Sequence, residues 1–147
     1  MRIPPPIIGA VTAGAMWLVA ESTGLRIDVP ASGFVALALI GAGLSLDLWA
    51  ILAFRKAKTT VNPLAPENTS AIVTGGPYKF SRNPMYLGLL IVLTGLMVYL
   101  GDPTNVLLLA AFVAAVTLLQ IRPEERILSS KFGAEYEAYA SQTRRWI

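Results

Sequence analysis

The chain has 147 residues, of which 54% are hydrophobic and only 14% are charged. Soluble domains carry about a quarter charged residues, so this deficit indicates a single membrane domain over residues 1–147. The lack of cysteine and histidine excludes disulfides, thiolate nucleophiles and histidine acid–base chemistry, and we expect no metal.

Four apolar segments predict an all-α protein with four transmembrane helices. A spanning helix needs about 20 mostly apolar residues, which the second segment meets well and the third and fourth just meet. The first segment is short and could instead be a signal peptide, although Val19-Ala20-Glu21 is a poor cleavage site. The expected spans are about residues 4–21, 33–54, 84–101 and 103–121.

The basic residues are distributed unequally over the ends of these spans. If the N- and C-termini are both cytoplasmic, eleven Lys and Arg side chains lie inside and only Arg26 lies outside. This asymmetry predicts an integral, multi-pass membrane protein. It also explains the pI near 9.5 by contact with anionic lipid headgroups, so we expect membrane lipids and no nucleic acid as partners.

The second span contains a carboxylate, Asp47, seven residues before its inner end. Carboxylates inside a membrane are costly and mark functional candidates, but Asp47 could equally pair with Arg55 near the interface. Gly41 and Ser45 are expected to permit close helix packing, and Trp49 is expected to anchor the helix at the interface.

The inner loop, residues 55–83, is rich in Pro, Thr, Asn and Gly and shows no clear helix. Its length favours a functional or disordered segment. At its end Asn83 is expected to cap the third span and Pro84 to begin it, leaving unpaired amides that attract an anionic or polar group. This signal alone is weak, because many helices begin with Asn-Pro.

The third and fourth spans are joined by Gly101-Asp102-Pro103, a tight turn by composition. They therefore form an antiparallel hairpin whose cytoplasmic ends are neighbours. We expect Glu124 and Glu125, at the end of the fourth span, to face Arg82 and Asn83 at the start of the third. The plainer interpretation is that both glutamates only complement a helix dipole.

Residues 123–140 are predicted to form an interfacial amphipathic helix, with large apolar side chains recurring at three- and four-residue steps. The helix would serve as a membrane anchor, as a wall over a site, or as both. Arg144 and Arg145 follow it. They would contact lipid headgroups or hold an anionic group of a substrate.

Several motifs occur in a fixed order over about residues 73–145: Gly-Pro-Tyr, Ser-Arg-Asn-Pro-Met-Tyr-Leu-Gly, an apolar hairpin, Arg-Pro-Glu-Glu-Arg and a terminal Arg-Arg. This order resembles the isoprenylcysteine carboxyl methyltransferase and phospholipid methyltransferase family of integral membrane enzymes. The resemblance implies S-adenosylmethionine as cofactor, bound at the cytoplasmic ends of the last spans. It also implies a lipophilic methyl acceptor that enters from the bilayer, bearing a prenylcysteine-like carboxylate or a phospholipid amine.

The resemblance assigns roles to individual residues. Glu125, Arg144 and Arg145 would be catalytic, with a terminal arginine holding the substrate. Many family members have histidine where Asn83 stands. Because asparagine can form hydrogen bonds but cannot exchange a proton, Asn83 favours cofactor positioning over proton transfer at this position. The implied cofactor-binding residues are Gly76, Pro77, Tyr78, Arg82, Asn83, Pro84, Tyr86, Leu87, Gly88, Glu124 and Glu125.

Two rival functions remain at this point. A membrane reductase of the sterol-reductase type would use NADPH, but such enzymes are much longer and have more spans. A small membrane scaffold without enzymatic activity would not require the two polar clusters to meet. Binding of S-adenosylmethionine or of NADPH separates these alternatives.

Overall fold

The structure, a computed structural model, describes residues 4–28, 30, 32–57 and 71–147. The described residues form helices joined by turns and contain no strand, so the predicted all-α class is confirmed. Short 3₁₀ turns at Gly76–Lys79 and Pro103–Asn105 precede α3 and α4. The helices are α1 (Pro5–Thr23), α2 (Ser32–Lys56), α3 (Pro84–Leu100), α4 (Val106–Val116), α5 (Arg122–Phe132) and α6 (Ala134–Gln142).

Two of these helical stretches are long and apolar enough to cross a membrane. They are Ser32–Lys56 and the continuous run Pro103–Phe132, whereas Pro84–Leu100 is a shorter apolar helix. The fourth predicted segment does not end at residue 121. A π-helical turn at Thr117–Ile121 connects α4 to α5, and Pro123, at the second position of α5, lacks the N–H that would bond one turn back.

The predicted interfacial helix over residues 123–140 is divided in two. Gly133 has φ 51° and ψ −125°, which ends α5 and starts α6 in a new direction. Residues with a side chain rarely adopt this backbone conformation, so the glycine at this position permits the break. Of the inner loop, residues 58–70 lie outside the described part, and the apolar stretch Ala71–Thr74 is not a strand.

Helices α2 and α3 make the most extensive interhelical contact, and glycines allow it. A Cβ on Gly43 would lie 2.5 Å from the Gly88 carbonyl oxygen, and a Cβ on Gly95 would lie 2.9 Å from the Ala36 carbonyl oxygen. The expectation for Gly41 was wrong: no atom of the described residues lies within 4 Å of its Cβ position. Residues 41 and 43 differ by about 200° around the helix, so they point in opposite directions.

The turn between α3 and α4 is bound to the end of α1. The Asp102 carboxylate accepts hydrogen bonds from the Thr23 hydroxyl and, at 2.8 Å, from the Thr104 backbone N–H. The Ile27 N–H donates to the Gly101 carbonyl at 2.9 Å. The main apolar core extends from this end along α1, α3 and α4, with Phe112 and Val116 almost fully buried.

Candidate active site

The glycine-proline turn before α3 packs against α2 and α6. A Cβ on Gly76, whose φ is 60°, would lie 3.2 Å from Trp49 Nε1. Tyr78 is buried, its ring meets Phe54 edge-on at 5.2 Å, and its carbonyl accepts a hydrogen bond from the Tyr139 hydroxyl at 2.8 Å. Burial raises the pKa of both tyrosines, so neither hydroxyl ionises near neutral pH.

The residues at the start of α3 differ from the expected cap. The Asn83 side chain makes no capping bond to the helix, and its backbone N–H donates to Ser81 Oγ at 3.0 Å. Instead, Asn83 Nδ2 donates to the Arg145 carbonyl at 2.9 Å. Pro84 begins the helix as predicted. Asn83 therefore connects the start of α3 to the end of the chain.

The two polar clusters meet at one end of the helical bundle. Glu125 Oε1 lies 3.0 Å from an Arg82 guanidinium nitrogen. Arg145 binds the same carboxylate in a bidentate manner, at 3.0 Å through Nε and 2.7 Å through a terminal nitrogen. Glu124 instead accepts a hydrogen bond from the Tyr86 hydroxyl at 2.7 Å. Both glutamates thus face the start of α3, as the hairpin predicts.

A cleft of about 710 Å³ opens beside these contacts. Arginines form much of its wall, and Glu125 is its only acidic lining residue among the described residues. Such a surface attracts an anionic group and can bind it through bidentate hydrogen bonds. The lining residues are Arg82, Arg122, Glu125, Arg126, Ser129, Ser130, Tyr136 and Arg145.

The charges in the cleft stabilise one another. The hydrogen bond from Arg145 to Glu125 raises the pKa of the Arg145 guanidinium. Burial and, secondarily, the negative charge of Glu125 raise the pKa of Tyr136 to about 12. Tyr136 therefore stays protonated at neutral pH and can act as a hydrogen-bond donor rather than as a base.

Other residues of the expected site lie away from the cleft. Arg144 is exposed, and its backbone carbonyl accepts from the Arg82 N–H at 2.9 Å. Gly88 faces α2, where Asp47 Oδ1 is buried beside it without a hydrogen-bond partner among the described residues. Leu87 is half-buried on α3, and its N–H donates to the Asn83 carbonyl at 3.0 Å.

The sequence-based expectation did not include Arg122, Arg126, Ser129, Ser130 and Tyr136 among the site residues. The signal for the two serines was present, because the cleft positions on α5 follow a three- and four-residue spacing that places them on one helical face. Tyr136 could not be found in this way, since the break at Gly133 changes the direction of the chain before α6. The positions on α5 that line the cleft are 122, 125, 126, 129 and 130.

Curated relatives support one family. The chain is 40% identical over 63 residues to an uncharacterized protein of Haemophilus influenzae, covering 43% of this chain and 100% of that protein. It is 32% identical over 91 residues to protein-S-isoprenylcysteine O-methyltransferase A of Arabidopsis thaliana, covering 62% and 46% of the two chains. A probable protein-S-isoprenylcysteine O-methyltransferase of rice is 28% identical over 109 residues, covering 74% and 57%.

The chain spans about half the length of the plant relatives that it matches. No solved structure matches it significantly. The model of the phospholipid methyltransferase family matches residues 31–135, more than two thirds of the chain. This range includes the start of α3 and both glutamates of the polar cluster. The chain therefore belongs to the phospholipid methyltransferase family.

Proposed function

We propose that the protein is an S-adenosylmethionine-dependent methyltransferase that acts at the membrane on a lipophilic acceptor. The observation that carries this proposal is the meeting of two clusters, distant in sequence, within the part that the family matches. Arg82 and Tyr86 from the start of α3 contact Glu125 and Glu124 from the start of α5. A scaffold would have no need of this arrangement beside an open cleft.

The cleft fits the size of this cofactor and the charge of its carboxylate end. Its volume of about 710 Å³ lies within the range of small-molecule sites. Arg122 and Arg126 would hold the cofactor carboxylate, while serine and tyrosine hydroxyls suit its polar groups. S-adenosylmethionine supplies an electrophilic methyl group on sulfur. Alignment of the acceptor with that group would supply much of the rate enhancement.

The acceptor is proposed to enter from the bilayer, with its reacting group at the polar end of the bundle. Apolar side chains cover the outer faces of the helices; Phe34 is 80% exposed and Leu107 is 71% exposed. A carboxylate acceptor needs a cation to hold it, and Arg145 lies at the cleft. An amine acceptor must lose a proton, which Glu124 or Glu125 could accept.

We further propose that the protein has four transmembrane helices and that the cleft lies on the cytoplasmic face of the membrane. Two helical runs have the length and hydropathy to span. The shorter apolar α3 and the 19-residue α1 pack beside them. The excess of basic residues at the cleft end supports the cytoplasmic orientation.

Calorimetric titration of S-adenosylhomocysteine into the detergent-solubilised protein tests this function. We expect a roughly micromolar Kd, weakened about tenfold in Arg126→Gln, which would lose a cation that holds the cofactor carboxylate, and unchanged in Glu137→Gln, whose side chain is exposed on α6. NADPH should not bind. Folded protein that binds NADPH, or that binds neither compound, would refute the proposal.

A further inference from the structure

The last five residues, 143–147, turn back from α6 across the start of α3, and we refer to them as the strap. The Arg82 N–H donates to the Arg144 carbonyl at 2.9 Å. The Arg145 carbonyl accepts twice, from Asn83 Nδ2 at 2.9 Å and from Ser81 Oγ at 3.4 Å. The strap is therefore held by its backbone on residues that precede α3.

Side chains of the strap are bound on its two neighbouring helices. The Arg145 guanidinium makes the bidentate pair with Glu125 of α5. Trp146 packs against the main core, and its indole N–H donates to Thr117 Oγ1 at 3.3 Å in the π-helical turn. These contacts place a strap arginine in the wall of the cleft and a half-buried aromatic ring against the core.

We propose that Asn83 and Glu125 are positioning residues: they dock the strap so that Arg145 forms part of the cleft. Asn83 acts as a neutral donor to the Arg145 backbone carbonyl, and Glu125 binds the guanidinium of the same residue. Neither role transfers a proton. The docking itself follows from the contacts, whereas its importance for ligand binding rests on the proposed function of the cleft.

The two contacts explain why an amide serves at position 83. The Arg145 carbonyl needs a donor, and a carboxamide N–H supplies one without adding charge to a cluster that already holds two arginines near one carboxylate. Histidine could donate through a ring N–H, whereas leucine, of similar size, could not. Glutamine at position 125 would keep the shape but lose the charge that binds both arginines.

A spin label on the strap tests this inference. The chain has no cysteine, and Ile147 is 76% exposed, so Ile147→Cys gives one labelling site at the end of the strap. In detergent, the ratio of mobile to immobile label should rise about tenfold in Asn83→Leu and Glu125→Gln. It should stay unchanged in Asn83→His, which keeps a donor, and in Glu137→Gln, a matched change on α6.

Thermal unfolding of each variant separates docking from general destabilisation. The proposal expects a mobile label at temperatures where the variant remains folded. Equal immobilisation of the label in folded wild type, Asn83→Leu and Glu125→Gln would overturn it. S-adenosylhomocysteine titration of the same samples is a separate readout. A strap released as expected in a protein that binds no cofactor would support the docking and refute the proposed function instead.

Discussion

Glu124 and Glu125 are adjacent in sequence, yet their side chains have different partners. Glu125 is bound by Arg82 and Arg145 and is 17% exposed, which makes it part of the structure of the cleft. Glu124 receives the Tyr86 hydroxyl at 2.7 Å. A hydrogen bond to a charged acceptor contributes more than one between neutral groups, so this contact fixes the orientation of Glu124.

Removing the Tyr86 hydroxyl should therefore be costly. We expect Tyr86→Phe to lower the free energy of unfolding by about 1–2 kcal/mol, because Glu124 loses this donor in a half-buried site. Tyr99→Phe on the same helix should have no effect, since Tyr99 is 55% exposed. Thermal unfolding in detergent compares the two variants, and equal stability would show that the contact contributes nothing.

At the scale of helices, the sequence predicted most elements because apolar runs and Gly-Pro turns have a direct physical meaning. Helix α3 begins at Pro84, because the first helical position needs no N–H, and it ends before Gly101, because glycine readily adopts the left-handed backbone. The break at Gly133 was missed because a glycine inside an amphipathic pattern is compatible with a continuous helix. The choice of Gly43 over Gly41 at the helix contact depends on how α2 is rotated, which a uniformly apolar sequence does not specify.

The crossing of α2 and α3 can be tested with two identical substitutions on one helix. Gly43→Ala should lower the free energy of unfolding by about 1–3 kcal/mol, because the new methyl would meet the Gly88 backbone. Gly41→Ala should leave stability unchanged or slightly increased, since its Cβ would meet no other residue in the described part of the chain. Unfolding measurements that show equal effects would contradict the close approach at Gly43.

The break between α5 and α6 gives a further prediction. Gly133→Ala should cost about 1–3 kcal/mol, because alanine rarely adopts φ 51° with ψ −125°. It should also increase deuterium exchange in α6, where Tyr136 is buried. Gly75→Ala is the matched control: its φ is −92°, and none of the residues that the structure describes lies within 4 Å of its Cβ position. Unchanged exchange and stability in Gly133→Ala would mean that α6 tolerates a continuous helix.

At the scale of the whole molecule, the proposed topology places the C-terminus and the cleft on the cytoplasmic side. The cysteine-free chain allows a direct test. We expect Leu25→Cys, between α1 and α2, to react with an impermeant maleimide added to intact cells. Ser141→Cys, exposed near the C-terminus, should react only after the membrane is opened. The reverse pattern would invert the topology.

The contacts of Asp102 restrict opening of the bundle at the end opposite the cleft. Thr23 and Thr104 bind its carboxylate, and Ile27 binds the neighbouring Gly101, so the two turns at that end are joined. The helices are thus joined to one another at this end of the bundle. A sideways gap wide enough for a hydrocarbon chain would then form toward the arginine-lined end, between helices that the strap does not join. A lipophilic acceptor that enters as proposed would then arrive with its polar group beside the cleft.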